Sequence, residues 1–278
     1  MTSVAGGADR LTRWNSLLQL LAEQERVTVE QAAERLGVSQ ATIRRDFDEL
    51  AQQHMIIRTR GGACATSGSD DLPLRYKSAR HAEQKQRIGA AAAALVGPGM
   101  VVGLNGGTTT TEAARALAGR VDLNGRADLA GPAGSLDEPR LTVVTNALTI
   151  ANQLLTQTRM RVVVTGGVVR PQSLELVGPI GGGAVLHDVT IDVALLGVDA
   201  IDPRLGPAAH HEGEAAVSGL IAGRARRVVI IADSSKLGSQ AFARICPVER
   251  VDTLVTDVTA DPHAVAEFEK VGVTVTLV

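Results

Sequence analysis

The sequence predicts two domains of different class: a small helical module at the amino end with a helix-turn-helix and a β wing, and a larger α/β domain built on a largely parallel sheet. Three observations carry this. Apolar residues recur at helical spacing in successive segments between residues 11 and 50, with turn chemistry between them. A Ser-, Gly- and Asp-rich stretch, 65–71, interrupts the pattern. From Met100 onward, short Val/Leu/Ile runs alternate with helical segments, the pattern of strands covered on both faces.

Leu11, Trp14, Leu17, Leu18 and Leu21 form the apolar stripe of a first helix. Thr28 followed by Gln31 is a capping-box pattern, so a second helix starts there and runs to Leu36. Gly37 can take the left-handed conformation that ends a helix, and Ser39 caps the next. The turn is therefore short, and the two helices meet at a steep angle. The stripe of the first helix packs on Val29, Ala32, Ala33, Leu36, Ile43, Phe47 and Leu50. Ile56 to Arg60 alternates like a strand, and Gly61-Gly62 ends it, as a wing would.

With Ile43, Phe47 and Leu50 inward, Gln40, Thr42, Arg44 and Arg45 lie on or beside the outer face of the third helix. An arginine-bearing helix start after a tight turn is the geometry of a helix that reads the major groove of duplex DNA. Arginine forks onto guanine edges and glutamine onto adenine, while Ser39 and Thr42 suit backbone phosphate. Arg58 and Arg60 of the wing are placed for phosphate or the minor groove. A capped helix with two arginines is often no more than a solvated helix; the whole constellation points to DNA. Over residues 1–62 the arginines 10, 13, 26, 35, 44, 45, 58 and 60 are matched by as many carboxylates. The arginines must then be segregated onto one face, and binding is expected to be specific and dimer-assisted.

Composition sets the frame. With 45% hydrophobic and 21% charged residues the chain reads as soluble and globular. It holds 1 Trp, 1 Tyr and 3 Phe, so the core must be Ala, Val, Leu and Ile, and stacking platforms for single strands or RNA are not expected. The net charge of −2 is neutral on a nucleic-acid partner. Cys64 and Cys246 lack metal-ligand spacing and read as reduced thiols. Met1 to Asp9 has no signal-peptide pattern and no stretch approaches the ~20 apolar residues of a membrane span; the expected location is the cytoplasm, with no membrane partner.

Leu72-Pro-Leu-Arg-Tyr76 resumes ordered chain, and an amphipathic helix from about Ser78 to Leu95 could carry a homo-oligomer contact. Strands follow at Met100–Leu104, Leu141–Val144, Arg161–Thr165, Ile191–Leu196, Val228–Ala232, Asp252–Val255 and Val273–Leu277. Leu123 to Pro139, rich in Gly, Pro and Asp, reads as a mobile surface loop.

In an open parallel sheet, ligands bind at the carboxyl ends of the strands. Asn105-Gly106-Gly107-Thr108-Thr109-Thr110 is suited to a phosphate there, since glycines let backbone amides approach and the threonines open a helix. Thr109 with Glu112 as a mere capping box is the bland reading. Thr145-Asn146, Gly166-Gly167 and Asp199 end neighbouring strands and suit sugar hydroxyls, while Asp233, Ser235 and Lys236 add donors and a point charge. His210-His211-Glu212-Gly213-Glu214 invites a metal reading, yet adjacent histidines point to different sides and no third ligand stands at a recognisable interval. No catalytic triad can be assembled, and no cofactor or metal is called for. The implied division is 1–63 for the winged helix-turn-helix, 64–77 for a linker and 78–278 for an effector-sensing domain.

At these residues the chain resembles the DeoR family of bacterial transcriptional regulators over almost its whole length. The resemblance rests on Val27 to Gly62, with Gly-Val-Ser-Gln-Ala-Thr-Ile-Arg-Arg-Asp and Arg-Thr-Arg-Gly-Gly-Ala. In the second half it rests on Asn105-Gly-Gly-Thr-Thr-Thr, Val143-Val-Thr-Asn-Ala-Leu, Thr165-Gly-Gly, Leu176-Val-Gly-Pro179, Leu196-Gly-Val-Asp-Ala200 and Ala232-Asp-Ser-Ser-Lys-Leu-Gly238. It implies a Rossmann-like sensor domain of ribose-5-phosphate isomerase and CoA-transferase fold that senses phosphorylated sugars or related metabolites. Gly107 to Thr110 would then hold the phosphate, with Lys236 as its ionic partner. Asn105 stands where the family commonly has aspartate or serine, and Pro203 to Glu212 is unusual ahead of Glu214. The expected function is a repressor of carbohydrate-metabolism genes that binds operator DNA as a dimer or tetramer. The competing expectation is a sugar-phosphate isomerase or acyl transferase with a DNA-binding appendage, using Asp199, Glu214 and Lys236 for proton transfer.

Overall fold

The computed structural model describes residues 5–24, 26–52, 55–65, 77, 81–127, 140–178 and 182–278. They divide into two compact units, Met1–Arg80 and His81–Val278. The first contains α1 (Ala5–Gln24), β1 (Arg26–Thr28), α2 (Val29–Leu36), α3 (Gln40–Gln52), β2 (Ile56–Thr59) and β3 (Gly62–Ala65).

Local sequence sets these boundaries. Thr28 N donates to Gln31 Oε1 at 2.9 Å and Gln31 N to Thr28 Oγ1 at 3.2 Å, completing the capping box. Gly37 ends α2 at φ 64°, a conformation that adding a Cβ would strain. Trp14, Leu17, Leu18, Leu20 and Leu21 of α1 are buried against Val29, Ala32, Ile43, Phe47 and Leu50, with Ala33 and Leu36 at the margin.

The wing differs from the sequence expectation. Gly62 opens a return strand instead of ending the wing, with β2 and β3 antiparallel around the Arg60-Gly61 tip. β1 pairs with β3 as a third strand, aligning Val27 with Ala63. A three-residue strand is too short to show a period. Because β3 runs to Ala65, the expected boundary at residue 63 falls inside a strand. The linker residues 66–76 lie outside the described residues.

One polar cluster ties α3 to α1. Asp46 is 3% exposed and accepts Arg13 Nε at 2.5 Å, Arg13 Nη2 at 3.0 Å and Trp14 Nε1 at 2.9 Å. A buried carboxylate held by three donors fixes the rotation of α3 about its axis.

The second unit contains a seven-stranded sheet, all its pairings parallel. Its strands are β4 (Val101–Leu104), β5 (Leu141–Thr145), β6 (Met160–Val164), β9 (Ile191–Gly197), β12 (Ala225–Ile231), β14 (Thr253–Thr256) and β15 (Thr274–Leu277). All seven match the predicted runs. Their order is β15-β14-β12-β9-β4-β5-β6. The winding therefore reverses between β4 and β9, which defines a doubly wound sheet and its ligand crevice.

The helices are α4 (Ala82–Ala94), α5 (Thr108–Ala127), α6 (Leu148–Leu154), α7 (Gly182–His187), α8 (Glu212–Arg224) and α9 (Pro262–Lys270). Val228 and Ile230 of β12 pack with Ile221 of α8 and Phe268 of α9. Val229 and Ile231 pack in a second core with Ile88 of α4 and Leu117 of α5. A strand covered on both faces needs apolar side chains at every position, hence the unbroken runs.

Three features were not expected. α5 continues to Ala127, so the loop read from Leu123 starts as helix; residues 128–139 lie outside the described residues. β7 (Val168–Arg170) and β8 (Glu175–Val177) form an antiparallel hairpin. β10 (Ala200–Asp202), β11 (Gly206–Ala209) and β13 (Ala243–Arg244) form a small sheet. Among the described residues no helix is long and apolar enough to cross a membrane.

Removing the α1–α3 tie tests this account. Asp46→Ala removes one acceptor of Arg13 and the bond to Trp14 Nε1, and the first unit is expected to lose about 3 kcal/mol. Trp14 is the only tryptophan, so its fluorescence in a urea titration of the full chain reads that unit alone; an unchanged midpoint would refute the assignment.

Candidate nucleic-acid interface and sensor site

The start of α3 is built by its own side chains. Ser39 Oγ accepts Thr42 N at 3.2 Å and lies 2.9 Å from Thr42 Oγ1, so both hydroxyls stand at the amino end of the helix. Arg44 and Arg45 are exposed opposite buried Ile43, Phe47 and Leu50. Arg44 Nη2 donates to Gln40 Oε1 at 3.4 Å.

Three arginines of this unit are paired with carboxylates. Arg10 meets Glu49 at 3.2 Å, Arg13 meets Asp46, and Arg58 Nε meets Asp48 Oδ1 at 2.8 Å. Three carboxylates of α3 thus neutralise arginines from α1 and the wing. Arg44, Arg45 and Arg60, like Arg26 and Arg35, have no ion-pair partner among the described residues. Arg58, expected on phosphate, is exposed and makes contacts of its own within the unit: Nη1 donates to Gly62 O at 2.7 Å and the guanidinium lies 5.6 Å from the Phe47 ring centroid. It clasps the wing to α3.

At the sheet, residues singled out in the sequence fall on the carboxyl ends of consecutive strands: Gly166 and Gly167 after β6, Thr145 at the end of β5 with Asn146 after it, Asn105 to Thr110 after β4, Asp199 after β9, and Asp233 to Lys236 after β12. β12 stands two strands from β4, roughly 10 Å away.

Asn105 is turned inward. Its Nδ2 donates to Gly197 O at 2.8 Å and to Ser218 Oγ at 3.0 Å, and its Oδ1 accepts Gly197 N at 2.9 Å. It fastens β4 to β9 across the winding reversal. Gly107 O accepts Thr110 Oγ1 at 3.0 Å and Thr111 Oγ1 at 2.7 Å. The first-turn amides of α5 have no acceptor within the helix, and Gly107 and Thr108 are part-exposed while Thr109 and Thr110 are buried. Glu112 is paired to Arg115. Thr145 Oγ1 accepts Ala147 N at 3.0 Å. Asp233 accepts Ser235 N and Ser235 Oγ, closing the turn that carries the part-exposed Lys236. His211 Nδ1 accepts Gly213 N at 3.1 Å and caps α8.

Sequence reasoning missed Glu175. Leu176 N donates to Asn146 O at 2.7 Å and folds the β7–β8 hairpin over the end of β5. Glu175, 4% exposed, then accepts Asn146 Nδ2 at 2.9 Å and is bonded by the Gly106 backbone. A Cβ on Gly106 would stand 2.3 Å from Glu175 Cδ, so glycine there makes room for the carboxyl. Arg170 Nη1 meets Glu214 Oε1 at 3.0 Å, and Asp199 Oδ2 accepts His210 N at 3.0 Å. Burial, then the nearby Glu214 charge, push the Glu175 carboxyl up to about 7. The one sequence signal was a charge embedded between Leu174 and Leu176.

A winged helix-turn-helix with two exposed arginines on its third helix, carried on the same chain as a doubly wound domain with a polar crevice, defines a DNA-binding transcriptional regulator with a sensor domain. Comparison with known proteins gives the family. The DeoR-like helix-turn-helix domain matches residues 13–68, and the DeoR C-terminal sensor domain matches 80–124 and 133–258. The chain is 32% identical over 264 residues to the HTH-type transcriptional regulator GlpR of Haloferax volcanii, covering 95% of this chain and 96% of that one. It is 30% identical over 248 residues to the glycerol-3-phosphate regulon repressor of Escherichia coli K12, covering 88% and 90%. Against ribose 5-phosphate isomerase A of Methanocaldococcus jannaschii the identity is 18% and the TM-score 0.39, over 56% of this chain and 54% of the isomerase. The protein belongs to the DeoR family of transcriptional regulators.

The buried carboxyl has a stability signature. Unfolded, Glu175 titrates near its ordinary value of 4.5; folded, near 7. Between these values the folded state keeps a proton that the unfolded state has lost, so the group's contribution is full below about 4.5 and falls away as pH rises to about 7. Glu175→Gln keeps an acceptor and removes the charge. The variant is expected to gain stability over wild type, by up to about 3 kcal/mol, on going from about pH 5 to about pH 8. Urea titrations followed by circular dichroism check this; a constant difference across pH would contradict it.

Proposed function

We propose that this regulator is a cytoplasmic, non-enzymatic repressor of carbohydrate-metabolism genes that binds operator DNA as a homo-oligomer and responds to a phosphorylated sugar or related metabolite. The observation that carries the DNA part is the exposed Arg44–Arg45 pair on α3, without carboxylate partners among the described residues, beside a Ser39–Thr42 helix start. Gln40, Arg44 and Arg45 read base edges; Ser39, Thr42 and Arg60 contact backbone.

The effector reading is supported by the open first turn of α5 at the winding reversal and by the names of relatives that act on the glycerol-3-phosphate regulon. Its phosphate would lie on Gly107–Thr110 with Lys236 as counter-charge, and Gly166, Gly167 and Asn146 would line the sugar. Effector binding shifts the population toward a weakly DNA-binding state. Proton transfer by Asp199 and Glu214 is disfavoured, because Arg170 holds Glu214 and the His210 amide holds Asp199.

Binding to DNA from upstream of the gene, measured with wild type, Arg44→Ala and Arg45→Ala, tests the first part. A base-reading arginine is expected to cost about 1 to 3 kcal/mol when removed, and a phosphate contact to lower the salt slope by about 1. Two variants that bind like wild type would overturn it. For the second part, ribose 5-phosphate, fructose 6-phosphate and glycerol 3-phosphate are added to the complex; at least one should change the operator affinity while its unphosphorylated parent does not. Turnover of ribose 5-phosphate by the protein would restore the enzymatic reading.

A further inference from the structure

Asn146 is fully buried, and its amide is oriented by its neighbours. Nδ2 donates to Glu175 Oε2 at 2.9 Å and to Leu176 O at 3.2 Å. A backbone carbonyl only accepts, so Nδ2 must face Leu176. That leaves Asn146 Oδ1 buried with no hydrogen-bond partner among the described residues. An orphaned buried acceptor costs about 1 to 3 kcal/mol, and it stands at the strand-end rim beside the Glu175 carboxyl. A donor belonging to a ligand would satisfy it.

Glu175 lies against Gly106, directly before the loop that opens α5. We propose that Asn146 and Glu175 together read a hydroxyl of the effector, and that Glu175 takes up a proton when a phosphorylated effector binds. This rests on the effector reading above and adds its specificity and its pH dependence.

The chemistry is set by charge. Asn146 Oδ1 accepts the effector's hydroxyl proton, and the hydroxyl oxygen accepts in turn from the protonated carboxyl of Glu175. An ionised Glu175 would instead repel the phosphate brought to Gly107–Thr110. The groups facing Glu175 leave it close to that balance: Glu214 from α8, already paired to Arg170 of the adjoining strand β7, and Asp199 from the end of β9. Burial and these carboxylates already hold the Glu175 proton near neutral pH, and an incoming anion tightens it further. His210 and His211 precede α8, so His211→Asn and His210→Asn serve as controls for imidazole titration.

Isothermal titration of the full chain with ribose 5-phosphate, fructose 6-phosphate and glycerol 3-phosphate, at about pH 6 and about pH 8 in buffers of different ionisation enthalpy, tests the proposal. For the probe that binds, wild-type affinity should fall about tenfold between these pH values relative to Glu175→Gln, with uptake of up to one proton more than the variant at the higher pH. The phosphate's own titration is common to both proteins and cancels. Asn146→Ala should weaken that sugar phosphate at least about tenfold and leave inorganic phosphate binding unchanged. Equal pH profiles for wild type and Glu175→Gln, or equal losses on both probes for Asn146→Ala, would overturn this inference and leave the sensing function standing. Failure of every sugar phosphate to bind would remove both. Should Glu175→Gln not fold, carbon-13 titration of Glu175 in wild type answers the same question: an upward move on adding the bound sugar phosphate supports it, and no move refutes it.

Discussion

Two hydrogen bonds between the Asn105 amide and the Gly197 backbone hold the sensor domain at its most exposed topological point. At a winding reversal the two adjacent chains leave the sheet toward opposite faces, which opens a gap just beyond the paired ends of β4 and β9. A side chain with both a donor and an acceptor can bridge that gap by bonding the N–H and the C=O of one residue. Asn105 does so, and its second amide proton reaches Ser218 of α8. The phosphate-type loop therefore leaves from an anchored residue. An aspartate at this position would lack the donor for Gly197 O, which gives asparagine a physical reason here.

The amino-terminal unit obeys the same logic with charge in place of topology. Its arginines and carboxylates balance in number, which by itself argues against an interface for a polyanion. Pairing in space changes the outcome. Asp46, Asp48 and Glu49 are paired with arginines brought from α1 and the wing, while Arg44 and Arg45, one turn before Asp48 and Glu49 on the exposed face of α3, make no ion pair among the described residues. Ion pairs of this kind contribute little stability where exposed, but they remove carboxylates from competition with phosphate. Arg58 shows how a residue type that suits DNA can also serve the protein's own fold, since it bonds Asp48 and the Gly62 carbonyl of the same unit.

Much of the sensor rim was legible because a parallel sheet gathers the loops leaving its strands along a single edge. Gly107, Asn146, Gly166, Asp199 and Lys236 could be nominated from runs of Val, Leu and Ile alone. The same reasoning could not tell which of them face outward. Asn105, Asp233 and Ser235 look like ligand donors in the sequence and are occupied within the chain. Glu175 was invisible, since it arrives on a hairpin whose strands are three residues each and whose position depends on a backbone bond to Asn146.

The sequence by itself determined the two-domain plan, the helix-turn-helix caps at Thr28, Gly37 and Ser39, the seven buried strands and the family. These are local or periodic properties, written in which residue types can cap, turn or be covered on both faces. Tertiary structure alone decided the strand order, the third strand of the wing, the pairing of the charges and the burial of Glu175 beneath Gly106. Each of these depends on residues far apart in the chain meeting at hydrogen-bond distance, and no spacing along a sequence encodes which partner a buried polar group will find.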